Sequence, residues 1–216
     1  MLRFACTGAR PEPFSAGPSL LFDVRIAEEP NEDGTARRVH SVMLRTQIRI
    51  EPRGRAYSEA ESAKLVDLFG APARWGETLN PLQLATVGTA VGAFTGEIVT
   101  PVTVPLTYDL DIAATKYFHG LSNGEVPLLM LFSGTVFYAG PHGVQVGLVS
   151  WHEEATYPLP VATWRAAMDD HYPRSAFVRV STATLDALSA YRSAHTIPNW
   201  DDTFERLLKE ADPGGP

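Results

Sequence analysis

The sequence predicts an α+β protein: an antiparallel β-sheet or sandwich of about five to seven strands, a helical insert at about residues 58–90, and C-terminal helices. Three observations predict it. From Val102 to Ile112, six apolar residues alternate with Thr, Pro and Asp, a period of two that no helix face can use. Asn123-Gly124 is a hairpin signal lying between apolar runs. After Pro160 the pattern turns helical, with capping residues at Ser181 and Asn199.

Taken in order, residues 1–18 hold three prolines and two glycines and read as a flexible leader. Ser19 to Glu28 reads as a strand with Leu20, Phe22, Val24 and Ile26 on one face, ended by the turn residues Pro30 to Thr35. In the next strand Val42, Leu44, Thr46, Ile48 and Ile50 alternate with Met43, Arg45, Gln47, Arg49 and Glu51, the pattern of a sheet with one wet side. Ser58 and Glu61 fit a capping box. Leu65, Val66, Leu68 and Phe69 form the stripe that follows, and Gly70 stops it. The stretch from Ala71 to about Gly96 reads as a helical excursion. The alternation from Val102 is expected to run on as strand to Phe118, and Pro105 puts it at an edge or a bulge. VPLLMLFSGTVFY is apolar on both faces, so a central, covered strand is expected; AGPHG turns it back into VQVGLVSW. ATWRAAMDDHY is a helix halted by Pro173. The domain reading is a leader at 1–18, a β domain with its insert at 19–160, helices at 161–211 packed on that domain, and a disordered tail at 212–216.

The 216 residues carry a net charge of −7. An acidic chain repels phosphate backbones, and the basic runs at Arg37-Arg38 and Arg53 to Arg55 are short, so nucleic-acid binding is not expected. Cys6 is the sole cysteine, which excludes an intrachain disulfide. Neither a signal peptide nor a membrane span of ~18 apolar residues is evident, so a cytoplasmic location is expected.

SWHEEATY, Ser150 to Tyr157, begins like a zinc-protease motif. That motif needs a second histidine four residues after the first, so that both imidazoles leave one helix face; Thr156 stands there instead. Period two places Trp151 inward and His152 outward with Glu154. His119, His142 and His152 all fall near turns, so a metal site shared with Glu125 or Glu153 is an alternative expectation. No nucleophile elbow and no phosphate-binding loop is present, and the sequence asks for no cofactor. Asp109 and Asp111 read as solubilising charges on an edge strand. The final third is rich in aromatics, and Trp151, Trp164, Tyr172 and Trp200 are the candidate protein-binding residues, because rigid rings bury area at low entropic cost.

GEVPLLMLFSGTVFY, VSWHEEATYPLPVATWRAAMDDHYP and TLDALSAYR together resemble an uncharacterised bacterial family of unknown function. Its members are common in actinobacteria and are often encoded beside nickel–iron uptake hydrogenase genes. The resemblance covers roughly residues 20–210 and is most specific from Glu125 to Arg192. It implies a role in hydrogenase assembly or operation and carries over no catalytic residues. Cys-x-x-Cys pairs are absent, so the chain is not expected to be the hydrogenase itself. The resulting expectation is a non-enzymatic accessory protein that binds a protein partner, with homo-oligomerisation left open. The alternatives are a metal-handling protein or hydrolase built on the three histidines, and a carrier with an apolar pocket between sheet and helices.

Overall fold

The computed structural model describes residues 1–30, 34, 36–109, 112–140 and 143–212. The chain divides into two units, Met1–Phe177 and Val178 onward.

The first unit is a sandwich of two antiparallel sheets. One is three-stranded, in the order β1 (Leu2–Pro11), β2 (Ser19–Glu28), β6 (Glu97–Pro105). The other has six strands, with β4 (Leu82–Val91), β3 (Arg38–Ile50), β7 (Glu125–Gly140) and β8 (Gly143–Leu148) in that order. The short β5 (Phe94–Thr95) joins β3, and β9 (Glu154–Pro160) joins β7 beside β8. β1 lies next to β9 and β4 next to β6, so the sheets meet along two margins. The inward positions of the period-two strands fill the space between: Leu20, Phe22, Val24 and Ile26 from β2, Val42, Ile48 and Ile50 from β3, and Val126, Leu128, Met130 and Val136 from β7 are buried. Each such side chain contributes roughly 1.5–3 kcal/mol by leaving water.

Helices close the sandwich. α1 (Glu59–Lys64), α2 (Val66–Phe69) and α3 (Trp75–Thr78) form the insert. α4 (Ala113–Gly120) packs on α1, α2 and β4, while α5 (Val161–Asp169) packs on β1, β2 and β9. The second unit holds α6 (Thr182–Ala194), capped by Ser181, and α7 (Trp200–Ala211), capped by Asn199. Within it the Tyr191 hydroxyl donates to both oxygens of Glu210 at 3.0 Å, tying α6 to α7.

Three expectations are corrected. Residues 1–18 are no loose leader: Leu2 and Phe4 enter the core, and β1 pairs with β2 from Leu2↔Glu28 to Pro11↔Leu20. A register shift between Cys6 and Gly8 breaks the alternation that would have revealed the strand. The helical insert ends at Thr78 and not near 90, because LQLATVGTAV pairs with β3 as β4. The long strand from Val102 stops at Pro105, and residues 113–120 are helix; Tyr117 and Phe118 are adjacent in sequence and both fully buried, which suits a helix wedged into the core. The division between units falls after Phe177, and α5 lies in the first unit with the sheets. Leu110, Asp111, Pro141, His142 and residues 213–216, which include most of the expected tail, lie outside the described residues.

A buried ionic hub fixes the insert. The Ser58–Glu61 capping box forms as the sequence predicts. Glu61 is 3% exposed and also accepts from the Ser122 amide at 2.7 Å and from Arg55 at 3.1 Å. Burial pushes its carboxyl pKa up, but the Ser122 and Ser58 amides, Arg55 and the Ser58 hydroxyl outweigh burial and hold it below the ordinary value. A depressed folded-state pKa stabilises above the unfolded value and loses that contribution as pH falls through the folded value. Glu61→Gln is therefore expected to cost roughly 1–3 kcal/mol near neutrality. Urea denaturation across a pH series should show the gap to wild type closing below about pH 4.3, the unfolded carboxyl value.

Gly134 sits in β7 with φ +147 and would drive a Cβ into the Met43 carbonyl of β3. Gly134→Ala is expected to destabilise the fold by about 1–3 kcal/mol, read as a lower thermal midpoint.

Candidate protein-binding face

The outer face of the six-stranded sheet carries the site. β8 is an edge strand paired on one side with the second half of β7, from Thr135↔Leu148 to Gly140↔Gly143. Val144, Val146 and Leu148 are two residues apart and so share a face. They are 59%, 65% and 81% exposed. On β7, Phe137 stands opposite Val146 and Ala139 opposite Val144. On β3, Met43 stands opposite Thr135, which in turn faces Leu148. Met43 is also exposed. These side chains form an exposed, largely apolar face on an open sheet, with Thr135 between Met43 and Leu148; such faces mark contact surfaces more often than ordinary solvent-facing sheet.

Trp151 is a further exposed apolar side chain near the end of β8. It stands in the bend where the chain leaves β8 and before it re-enters the sheet as β9, and it is 83% exposed, with the His152 ring tilted against it and centroids 3.3 Å apart. The expectation that Trp151 points inward is overturned at this bend, while His152 and Glu154 are exposed as expected. Glu153 points inward instead, 5% exposed and held by Arg3 at 3.0 Å. The bend breaks the period-two count, so a charged residue takes the buried place and an indole takes the wet one.

The other candidate aromatics lie elsewhere. Trp164 is a core residue, stacked on Phe118 with centroids 4.9 Å apart, so it offers no docking surface. Tyr172 is partly exposed and packs edge-on against Tyr108 and Phe177. In the second unit Trp200 stacks with Phe204 and lies beneath the Arg192 guanidinium at 4.3 Å. Sequence reasoning missed the apolar row of β8, although its signal is visible: Gly143 to Trp151 is an uncharged run in an acidic chain.

The histidines do not gather. His119 on α4 stands perpendicular to Trp164 and lines a cavity of about 140 Å³ with Tyr108, Arg165, Met168, Asp169 and Ser175. Its Nε2 is buried without a hydrogen-bond partner, and burial, with Arg165 nearby, lowers its pKa. A neutral imidazole is the form that ligates metal. Among the described residues, however, no three His, Cys, Asp or Glu groups come together as a metal site. His152 sits on Trp151, and His142 lies outside the described residues. The Cys6 thiol, pushed up to about 11 by burial, is not a reactive thiolate at neutral pH.

A model of a family of unknown function, DUF6084, matches residues 1–215. The chain belongs to this family. No curated protein matches it. Among solved structures it is similar to β-glucosidase 3B from Thermotoga neapolitana, in its complexes with α-D-glucose and with glycerol. Identities are 14% and 13%, TM-scores 0.24 and 0.23, and each match covers 73% of this chain. The chain spans 17% of the length of that glucosidase, and nothing about fold or activity follows from the likeness. No helix among the described residues is long and apolar enough to cross a membrane.

The two tryptophan environments predict opposite mutational behaviour. Trp164→Ala is expected to cost about 3–5 kcal/mol, whereas Trp151→Ala should stay within about 0.5 kcal/mol, both by urea denaturation. Acrylamide quenching of tryptophan emission should fall sharply in the Trp151 variant.

Proposed function

We propose that the protein is a non-enzymatic accessory factor that docks a protein partner on the outer face of its six-stranded sheet and acts in the cytoplasm. The observation that carries this reading is the exposure of Val144, Val146, Leu148 and Met43 on the outer sheet face, with Trp151 exposed in the bend after β8. Apolar area of this kind is stabilised by covering it, and an exposed indole is the type of side chain that anchors interfaces. The partner suggested by the family resemblance is a nickel–iron hydrogenase subunit or an assembly intermediate. The rigid sheet presents the surface preformed, so binding does not have to order it first.

The test uses tagged full-length chain in cells that express the neighbouring hydrogenase genes. Wild type is expected to retain a hydrogenase subunit through purification, identified by mass spectrometry, and Met43→Lys and Trp151→Ala to reduce its recovery at least tenfold. Recovery that is unchanged by both substitutions, or wild type that retains no hydrogenase subunit, overturns the reading.

A further inference from the structure

An unpaired strand edge is a template for another strand, and folded proteins protect such edges with proline, charge, bulges or a covering element. The other margins of this sandwich are protected. β6 carries Pro101 and Pro105, and β9 carries Pro158 and Pro160. β1 has its register shift at Cys6/Gly8 and ends in Pro11. β4 runs alongside β6, and β1 alongside β9. Among the described residues β8 shows none of these devices. Gly143–Leu148 contains no proline and no charge, and its pairing with β7 runs without a shift.

The register identifies the amides on the open side. The Val149 N–H donates to the Gly134 carbonyl at 3.0 Å, continuing the β7–β8 ladder by one residue. In an antiparallel pair, hydrogen-bonded positions alternate. Gly147, Gln145 and Gly143 therefore bond to β7, and Val144, Val146 and Leu148 turn their N–H and C=O groups away from it.

We propose that β8 pairs antiparallel with β8 of a second copy, about a twofold axis at Val146, joining the two six-stranded sheets into one. Centring the pairing there uses the whole strand and sets every outward amide of Val144, Val146 and Leu148 against an outward amide. Val146 faces Val146 of the second copy, and Val144 faces Leu148. On the outer face this lays apolar side chains beside one another, extending the row that Phe137 begins. On the other face Gln145 meets Gly147, whose missing side chain leaves it room. Self-complementarity favours a second copy as the occupant: the strand's own bare Gly147 receives its own Gln145, and Val146 meets its like on the axis. Two chains of net charge −7 repel each other overall, but the stretch from Gly143 to Trp151 adds no charge at the contact. The contact is isologous and closes on itself, so it yields a dimer and not a fibre. It goes beyond the docking role by doubling the apolar face without covering it.

The experiment is sedimentation of the purified full-length chain, followed by cysteine crosslinking. Wild type is expected to sediment at twice the monomer mass. Val146→Lys places like charges on the axis at a side chain 65% exposed and is expected to weaken the dimer at least tenfold, with an unchanged circular dichroism spectrum. In a Cys6→Ser background, Val146→Cys brings two thiols together on the axis. Facing Cα atoms of a hydrogen-bonded antiparallel pair lie about 5.5 Å apart, within the ~4.4–6.8 Å reach of a disulfide. Mild oxidation is therefore expected to give a covalent dimer, and Gln145→Cys, which faces Gly147, is expected to give at least tenfold less. A wild-type chain that stays monomeric at ~100 μM overturns the proposal. So does a dimer that Val146→Lys leaves intact, or equal crosslinking from positions 145 and 146. Met43→Lys lies off the edge, so loss of a protein partner in that variant with the dimer retained bears on the docking reading alone.

Discussion

The pairing of β3 with β7 is the interaction on which the first unit depends. Of the 16 residues of β7, Leu128 to Tyr138 run along β3, from Ile50↔Leu128 to Val39↔Tyr138, and the opposite side of β7 is divided between β9 and β8. The approach is close enough at Gly134 that no side chain fits against the Met43 carbonyl. Because β9 takes the first half of that side and β8 the second, the bend between them is forced. This bend exposes Trp151 and buries Glu153. The candidate face is thus a by-product of how one long strand shares out its hydrogen bonds.

Buried charge is handled the same way throughout this unit: each carboxylate that leaves water does so with a guanidinium and, where it is deepest, with backbone amides. Glu28 accepts from both the side chain and the amide of Arg37, whose guanidinium also lies 4.0 Å over the Tyr138 ring. Glu61 has Arg55 and two amides, and Glu153 has Arg3. Removing one member of such a pair strands the other, which is why these groups fix loops in place more than they add net stability. They pin the chain at the loop after β2, at the start of the insert, and at the bend before β9.

Much of the architecture was legible from the residues. β2 matches its expected span at both ends, and the caps at Ser58, Ser181 and Asn199 all form, because caps and period two are local signals. What misled was non-local. β1 has a weak pattern but a strong partner, and β4 is built from small residues whose strand form is imposed by β3. At Val102 to Ile112 the alternation continues past Pro105, where β6 ends. Of the aromatic candidates, Trp151 and Trp164 cannot be told apart by composition. One sits at a bend and the other on the inward side of a helix, and only tertiary packing separates solvent from core.

The order of the strands has a kinetic consequence. β3 is complete by Ile50, yet its principal neighbour begins at Glu125, so during synthesis that edge waits for a long stretch of chain. At ~5–20 residues per second the delay is several seconds. β4, the earlier-made of the two neighbours, covers one side of β3 first and leaves Val42, Ile48 and Ile50 without the β7 side of their sheet until the second half of the chain emerges. Distant pairings of this kind slow collapse, and the acidic surplus of the chain gives the half-made sheet a measure of mutual repulsion while it waits.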